Sequence, residues 1–259
     1  MGDLSGKVLI VTGGTQGIGH AAAAAAVSAG ADGLVICGRD AAKGEAVAAE
    51  FSGQGTACRF VACDLSDAEQ CRAVVADCDE AFGRVDGLVN AAGATDRGGI
   101  LDISVELWDY LFAVNVRAPF VLTQEAAKVM KREGTAGSIV NVITMSSHGG
   151  QPFLTGYSSS KGALVTLTKN VGHALRSERI RVNAINIGWA DTPNEHKVQV
   201  EAMGQPEDWL EAAEAAQPFG QLIKPHEVAD LVVFLLSPRS GIMTGSVIDY
   251  DQNVMGAYD

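Results

Sequence analysis

Tyr157 and Lys161 stand four residues apart in Tyr157-Ser158-Ser159-Ser160-Lys161, a spacing that sets a phenol and an ammonium on one face of a helix. A phenol ordinarily titrates near ~10, so it carries protons at neutral pH only when nearby positive charge stabilises its phenolate. Lys161 supplies that charge in one reading. In the plainer reading a half-buried tyrosine and a solvated lysine share a helix by coincidence, and the rest of the chain must decide.

A second chemical stretch is Thr12-Gly13-Gly14-Thr15-Gln16-Gly17-Ile18-Gly19, which follows the apolar run Val8-Leu9-Ile10-Val11 and opens a helix. Glycines let a backbone approach a pyrophosphate, and the first amides of a helix offer it unpaired N–H groups and partial positive charge. The spacing is Gly-x-x-x-Gly-x-Gly, so it meets the Gly-x-Gly-x-x-Gly fingerprint only in part and also fits an ordinary glycine turn. A second apolar run, Leu34 to Cys37, ends in Gly38-Arg39-Asp40. There an acidic residue would bind an adenosine ribose, but Gly38 holds its place. With a guanidinium alongside, a 2′-phosphate is neutralised, which favours NADP(H) with NAD(H) as the alternative. In the plainer reading Arg39 faces solvent and Asp40 offsets it.

These residues need strands to carry them. Cys58 to Cys63 reads as a third strand ending at Asp64-Leu65, where Asp64 suits an adenine amino group or a plain turn, and Ser66-x-x-Glu69 has the form of a capping box. Val85 to Val89 is a fourth strand, closed by the small residues Asn90-Ala91-Ala92-Gly93; Ser138 to Thr144, Ile180 to Ile187 and Ser246 to Tyr250 complete the set. Strands alternating with helices predict an α/β fold: one Rossmann-like domain over 1–259, a doubly wound parallel sheet of about seven strands with helices on both faces. Leu107 to Arg132 has a long helical pattern interrupted by Asn115, which predicts a kink with the amide turned inward, or else a surface position. Residues 188–218 break the alternation, are helical over Glu207 to Ala216, and suit a substrate lid. Pro225 to Leu236 is the last helix.

Lys+Arg minus Asp+Glu is 19 − 31 = −12, which disfavours nucleic acid and anionic membranes as partners. Cys37, Cys58, Cys63, Cys71 and Cys78 are odd in number and lack paired spacing, so reduced structural thiols are expected and no metal site is indicated. No secretory or membrane-spanning segment is visible, which predicts a cytoplasmic protein.

Together these marks resemble the short-chain dehydrogenase/reductase family over essentially the whole chain. Thr12, Gly13, Gly17 and Gly19 match its Thr-Gly-x-x-x-Gly-x-Gly turn, Asp64 its aspartate after the third strand, Asn90 to Gly93 its Asn-Asn-Ala-Gly with one substitution, Asn115 its helix asparagine, and Tyr157 with Lys161 its catalytic pair. Two departures stand out. The family's serine, thirteen residues before the tyrosine, is Thr144, with Ser146 as a substitute for the role; and Ile187-Gly188 replaces Pro-Gly, which leaves the path of the next loop open.

The resemblance implies hydride transfer between a nicotinamide cofactor and a carbonyl or secondary alcohol, with Asn115, Thr144, Tyr157 and Lys161 catalytic. It implies cofactor contacts at Gly13, Thr15, Gln16, Gly17, Ile18, Gly19, Arg39, Asp64, Leu65, Asn90, Ala91, Gly93, Tyr157, Lys161, Gly188 and Thr192, and a homotetramer joined through its long helices. By family register Thr95, Asp96, Arg97, Ser146, His148, Gln151, Trp189, Asn194 and His196 face the substrate; of these, Ser146, His148, Gln151 and Trp189 are the leading contacts. Polar walls suit a small, many-hydroxyl substrate, a sugar, sugar acid or polyol. A 3-oxoacyl reductase acting on a carrier protein or coenzyme A is the alternative, and a dinucleotide-binding regulator without turnover is a third reading.

Overall fold

The computed structural model describes residues 3–256. Seven strands, β1 (Val8–Thr12), β2 (Gly33–Gly38), β3 (Ala57–Ala62), β4 (Gly87–Asn90), β5 (Ser138–Thr144), β6 (Arg181–Ile187) and β7 (Val247–Tyr250), form one parallel sheet in the order β3-β2-β1-β4-β5-β6-β7. β1 pairs with β2 on one side and β4 on the other, so the chain reverses its direction of travel across the sheet there and opens a crevice at the strands' carboxyl ends. β1 is buried at every residue because both faces are covered, whereas the edge strand β3 alternates.

Helices α1 (Gly17–Ser28), α2 (Ala41–Gly53) and α9 (Pro225–Leu236) bury one sheet face around Leu9, Val11, Ile36, Val140 and Ile185. Ala22, Ala23 and Ala26 are buried, and their small side chains let α1 lie close to α9 and the sheet. On the other face, α3 (Ala68–Phe82) and α5 (Ala118–Arg132) cover Ile10, Val35 and Leu88, and α6 (Thr155–Ala174) covers Ile143 and Ala184.

The expected helix from Leu107 to Arg132 is interrupted: α4 (Val105–Phe112) passes through a π-helical turn, Ala113–Arg117, into α5, and Asn115 lies fully buried in that turn. The expected capping box at Ser66 is not formed. Asp67 caps α3 instead, its carboxylate accepting from the Glu69 and Gln70 main-chain N–H groups, while Glu69 pairs with Arg72. A carboxylate is the better match to the positive end of a helix than a hydroxyl. The segment after β6 contains α7 (Pro193–Lys197), a second π-helical turn and α8 (Trp209–Ala215), shorter than the expected Glu207 to Ala216. Its path is well defined despite Ile187-Gly188: Ala190 bridges Ile223, and Lys224 Nζ joins Asp191 at 2.8 Å and Glu214 at 2.6 Å. All five cysteines are free, and among the described residues no helix is long and apolar enough to cross a membrane.

Candidate active site

The glycine turn between β1 and α1 is built to exclude side chains. Gly13 and Gly17 have φ of +66° and +56°, a region that favours glycine. A Cβ on Gly13 would lie 3.1 Å from Ala92 Cα, and one on Gly19 would collide with the Gly13 carbonyl. Thr12 Oγ1 accepts from the main-chain N–H of Ala91 (3.0 Å) and Ala92 (3.1 Å), so the turn is tied to the end of β4. Gln16 caps α1 without a side-chain hydrogen bond, and the first turn of α1 carries no acid, which leaves its amides for an anion. Thr15 stands by Gly38, and Thr192, which caps α7 through Glu195 N–H, sits over Gly17. These features fit a dinucleotide.

At the end of β2, Asp40 caps α2 by accepting from Lys43 N–H and makes no ion pair with Arg39, whose exposed guanidinium is left for a ligand. Lys43 Nζ reaches Gln16 Oε1 at 2.8 Å. This lysine, missed in the sequence, places a second cation beside the glycine turn; its position in the first turn of α2 was the available signal. Asp64 is exposed, with its carboxylate accepting from Ser66 N–H, and half-buried Leu65 follows it. The side chain of Asn90, expected at the cofactor, points into the core, where Nδ2 donates to Asn141 Oδ1 (2.8 Å) and Thr123 Oγ1.

Tyr157 and Lys161 occupy adjacent turns of α6, with Lys161 Nζ 6.0 Å from the phenol ring centre. The ammonium is buried and donates to the Val142 carbonyl at 3.0 Å. Burial pushes Lys161 down to about 8. Burial likewise pushes Tyr157 up to about 12, against the pull of a hydrogen bond with Thr144 and with a push from the Glu195 carboxylate. The protein alone therefore does not make the phenol acidic; that needs a further positive charge beside it. Thr144 is the hydroxyl that pulls the phenol down, while its Oγ1 also accepts from Ser146 N–H at 3.2 Å. Ser146 Oγ instead donates to Gln151 Oε1 at 2.6 Å, so these two expected substrate contacts hold each other.

Asn115 is locked in place: Oδ1 accepts from Ala94 N–H (2.9 Å), and Nδ2 donates to the Ala94 carbonyl (2.9 Å) and Ser160 Oγ (3.0 Å). Ser160 Oγ in turn donates to the Tyr157 carbonyl. A Cβ on Gly93 would lie 3.3 Å from both Asn115 Oδ1 and Lys161 Nζ and would crowd them. A Cβ on Gly188 would strike the Asp251 carboxylate.

His148, expected on the substrate wall, is engaged by other side chains of the sheet. Its ring meets Asn186 and Asp249, which lie on the sheet face beneath α6, the face that Ala184 also occupies; the short turn after β5 carries it there. Trp189, in the segment after β6, stacks on Trp209 at 5.8 Å and donates to Glu195.

The family described as Enoyl-(Acyl carrier protein) reductase matches residues 13–252. The chain belongs to the short-chain dehydrogenase/reductases. It is 33% identical over 249 residues to a 3-oxoacyl-(acyl-carrier-protein) reductase of Thermotoga maritima, covering 96% of this chain and 97% of that one. It is 35% identical over 245 residues to an NADP-dependent (R)-specific alcohol dehydrogenase of Lentilactobacillus kefiri, covering 94% of each. Among solved structures, L-sorbose reductase from Gluconobacter frateurii, complexed with NADPH and L-sorbose, superposes with a TM-score of 0.92 at 28% identity over 98% of both chains. As a short-chain dehydrogenase/reductase the protein is an NAD(P)-dependent oxidoreductase acting on alcohol and carbonyl groups.

Proposed function

We propose that this short-chain dehydrogenase/reductase interconverts a hydroxyl and a carbonyl on a sugar, sugar acid or polyol, with NADP(H) as the preferred dinucleotide. The observation that carries it is the grouping of Thr144, Tyr157 and Lys161 at the strand ends that also carry the glycine turn and Gly93, with polar Asn194 and Thr95 meeting on the loops that follow β6 and β4. When bound, the nicotinamide supplies or accepts the hydride. Gly13, Gln16, Gly17, Ile18 and Gly19 would hold its pyrophosphate, Arg39 and Lys43 a 2′-phosphate, Asp64 and Leu65 the adenine, and Ala91, Gly93, Gly188 and Thr192 the nicotinamide end.

Tyr157 exchanges the proton with the substrate oxygen, and Thr144 holds that oxygen by a hydrogen bond. Lys161, pinned to the Val142 carbonyl, stabilises the phenolate and holds ribose hydroxyls. Asn115 Oδ1 keeps one lone pair for a water that relays protons from Lys161 to solvent. Residues 188–218 act as a lid whose base is fixed by Lys224 and whose Asn194 meets Thr95 across the cleft. The likeness to L-sorbose reductase supports the many-hydroxyl substrate. The Thermotoga relative favours 3-oxoacyl reduction, against which stands the net charge of −12, which repels an acidic carrier.

The test is a panel of sugars, sugar acids and polyols with each dinucleotide, following reduced-nicotinamide absorbance. Tyr157→Phe should abolish turnover on the active compounds while dinucleotide affinity stays within about twofold. Turnover on 3-oxoacyl thioesters alone would reject the sugar reading, and unchanged turnover in the variant would reject the role of Tyr157.

A further inference from the structure

Arg97 is set apart from the other guanidinium groups, several of which also lack an ion pair, by a buried nitrogen that has no hydrogen-bond partner among the described residues. Arg59, Arg72, Arg84, Arg132 and Arg239 each meet a carboxylate. Arg97 has no ion pair among the described residues, although acids outnumber bases by 31 to 19. Its Nε is buried without a hydrogen-bond partner, Nη1 rests 3.4 Å from Met203 Sδ, and the guanidinium carbon lies 5.2 Å from the Phe153 ring centre. A thioether and an aromatic face cushion the charge without balancing it. Buried N–H donors left unpaired are rare in native proteins, and such a group takes water or a bound anion as its partner. None of the acids in the same loop or the lid pairs with it: Asp102 accepts from Gly99 N–H, Glu195 accepts from Trp189 and Gln199, and Asp96 is exposed.

The position is that of a substrate contact. Arg97 lies in the loop after β4, and its neighbour Gly98 bridges Leu154, donating to the Phe153 carbonyl and accepting from Thr155 N–H. Thr155 begins α6, two residues before Tyr157. Met203 belongs to the segment after β6. The guanidinium is thus touched by chain leaving the carboxyl ends of β4, β5 and β6, the end of the sheet where an α/β fold binds its ligand.

We propose that Arg97 binds an oxyanion, a carboxylate or a phosphate, carried by the substrate away from its reacting carbon, so that the enzyme selects acidic over neutral polyhydroxy compounds. This rests on the oxidoreductase reading above and narrows it. The planar fork of the guanidinium suits both oxyanions, and a charge-assisted pair in a sheltered cleft outweighs a hydrogen bond to a neutral hydroxyl.

The experiment compares gluconate, glucitol 6-phosphate and glucitol as substrates for the wild type, Arg97→Met and Arg97→Lys. The wild type should favour one or both anions over glucitol in kcat/KM; which anion wins tells the carboxylate from the phosphate. Arg97→Met keeps an unbranched stem against Phe153, and should raise KM for the preferred anion about 10- to 100-fold with a smaller change in kcat; Arg97→Lys should restore part of it. A wild-type preference for glucitol, or an equal loss for all three compounds in Arg97→Met, overturns the proposal. Calorimetric binding of the same compounds to Tyr157→Phe loaded with dinucleotide separates the two readings. Anion binding that vanishes in Tyr157→Phe/Arg97→Met keeps Arg97 even if nothing turns over, whereas binding of neither anion overturns it.

Discussion

At Lys161 and Tyr157, burial works against the charge each must carry. Lys161 is held at about 8 in the fold against an ordinary 10.5, so between those values the unfolded chain binds more protons than the folded one and stability rises with pH. Below about 8 the folded protein carries the full cost of the buried ammonium, up to roughly 3 kcal/mol. Lys161→Met removes that cost. The variant should be the more stable protein at pH 7, and its advantage should shrink as pH rises from about 8 to 10.5, as read from urea midpoints with no dinucleotide added. A difference independent of pH would show that Lys161 is not desolvated as described. Thr144 gives a second residue-scale prediction, because its hydroxyl is what pulls the Tyr157 value down. Thr144→Ser should keep kcat within a few-fold, and Thr144→Ala should lower it about 10- to 1000-fold with dinucleotide affinity preserved.

The elements that carry these residues fail in different ways when altered. Gly19 has no room for a Cβ against the Gly13 carbonyl, whereas nothing lies within 4 Å of one at Gly53, the last residue of α2. Gly19→Ala should therefore disrupt the turn and abolish dinucleotide binding in a fluorescence titration, while Gly53→Ala should be neutral or stabilise by up to ~1 kcal/mol. The strand-turn-helix order, the glycine turn and the Asn115 kink were legible because apolar runs, glycine spacing and a polar residue in a helical pattern are local signals. The roles of Asn90 and His148 were not. Both lie where the sheet ends, and which face a side chain takes there depends on partners such as Asn141 and Asp249 that are distant in sequence. Capping by Asp67 rather than Ser66 was a shift of one residue between two competent caps, and Lys43 became visible only when α2 folded against Gln16.

Among several exposed apolar side chains, one group lies just before α4 and another, Phe120, on α5. Leu101 is 98% exposed, Ile100 77% and Phe120 45%. On α5, Phe120 shares the outward stripe with Gln124 and Lys128, while Val121, Leu122 and Thr123 are buried, so its ring adds nothing to the core. A chain of net charge −12 repels its own copies, and association needs such a patch to outweigh that repulsion. The family resemblance implies a homotetramer joined through its long helices, and Phe120 tests whether α5 forms one of those contacts. Phe120→Glu adds a like charge at the contact without touching the core. It should lower the mass measured by light scattering to that of a dimer or monomer at low salt, with far-ultraviolet circular dichroism unchanged. Raising the salt should restore part of the assembly, because a Debye length of about 8 Å at physiological ionic strength contracts to about 3 Å at 1 M. A variant that stays tetrameric would move the contact away from α5, and a wild type that is monomeric at every salt concentration would remove it altogether.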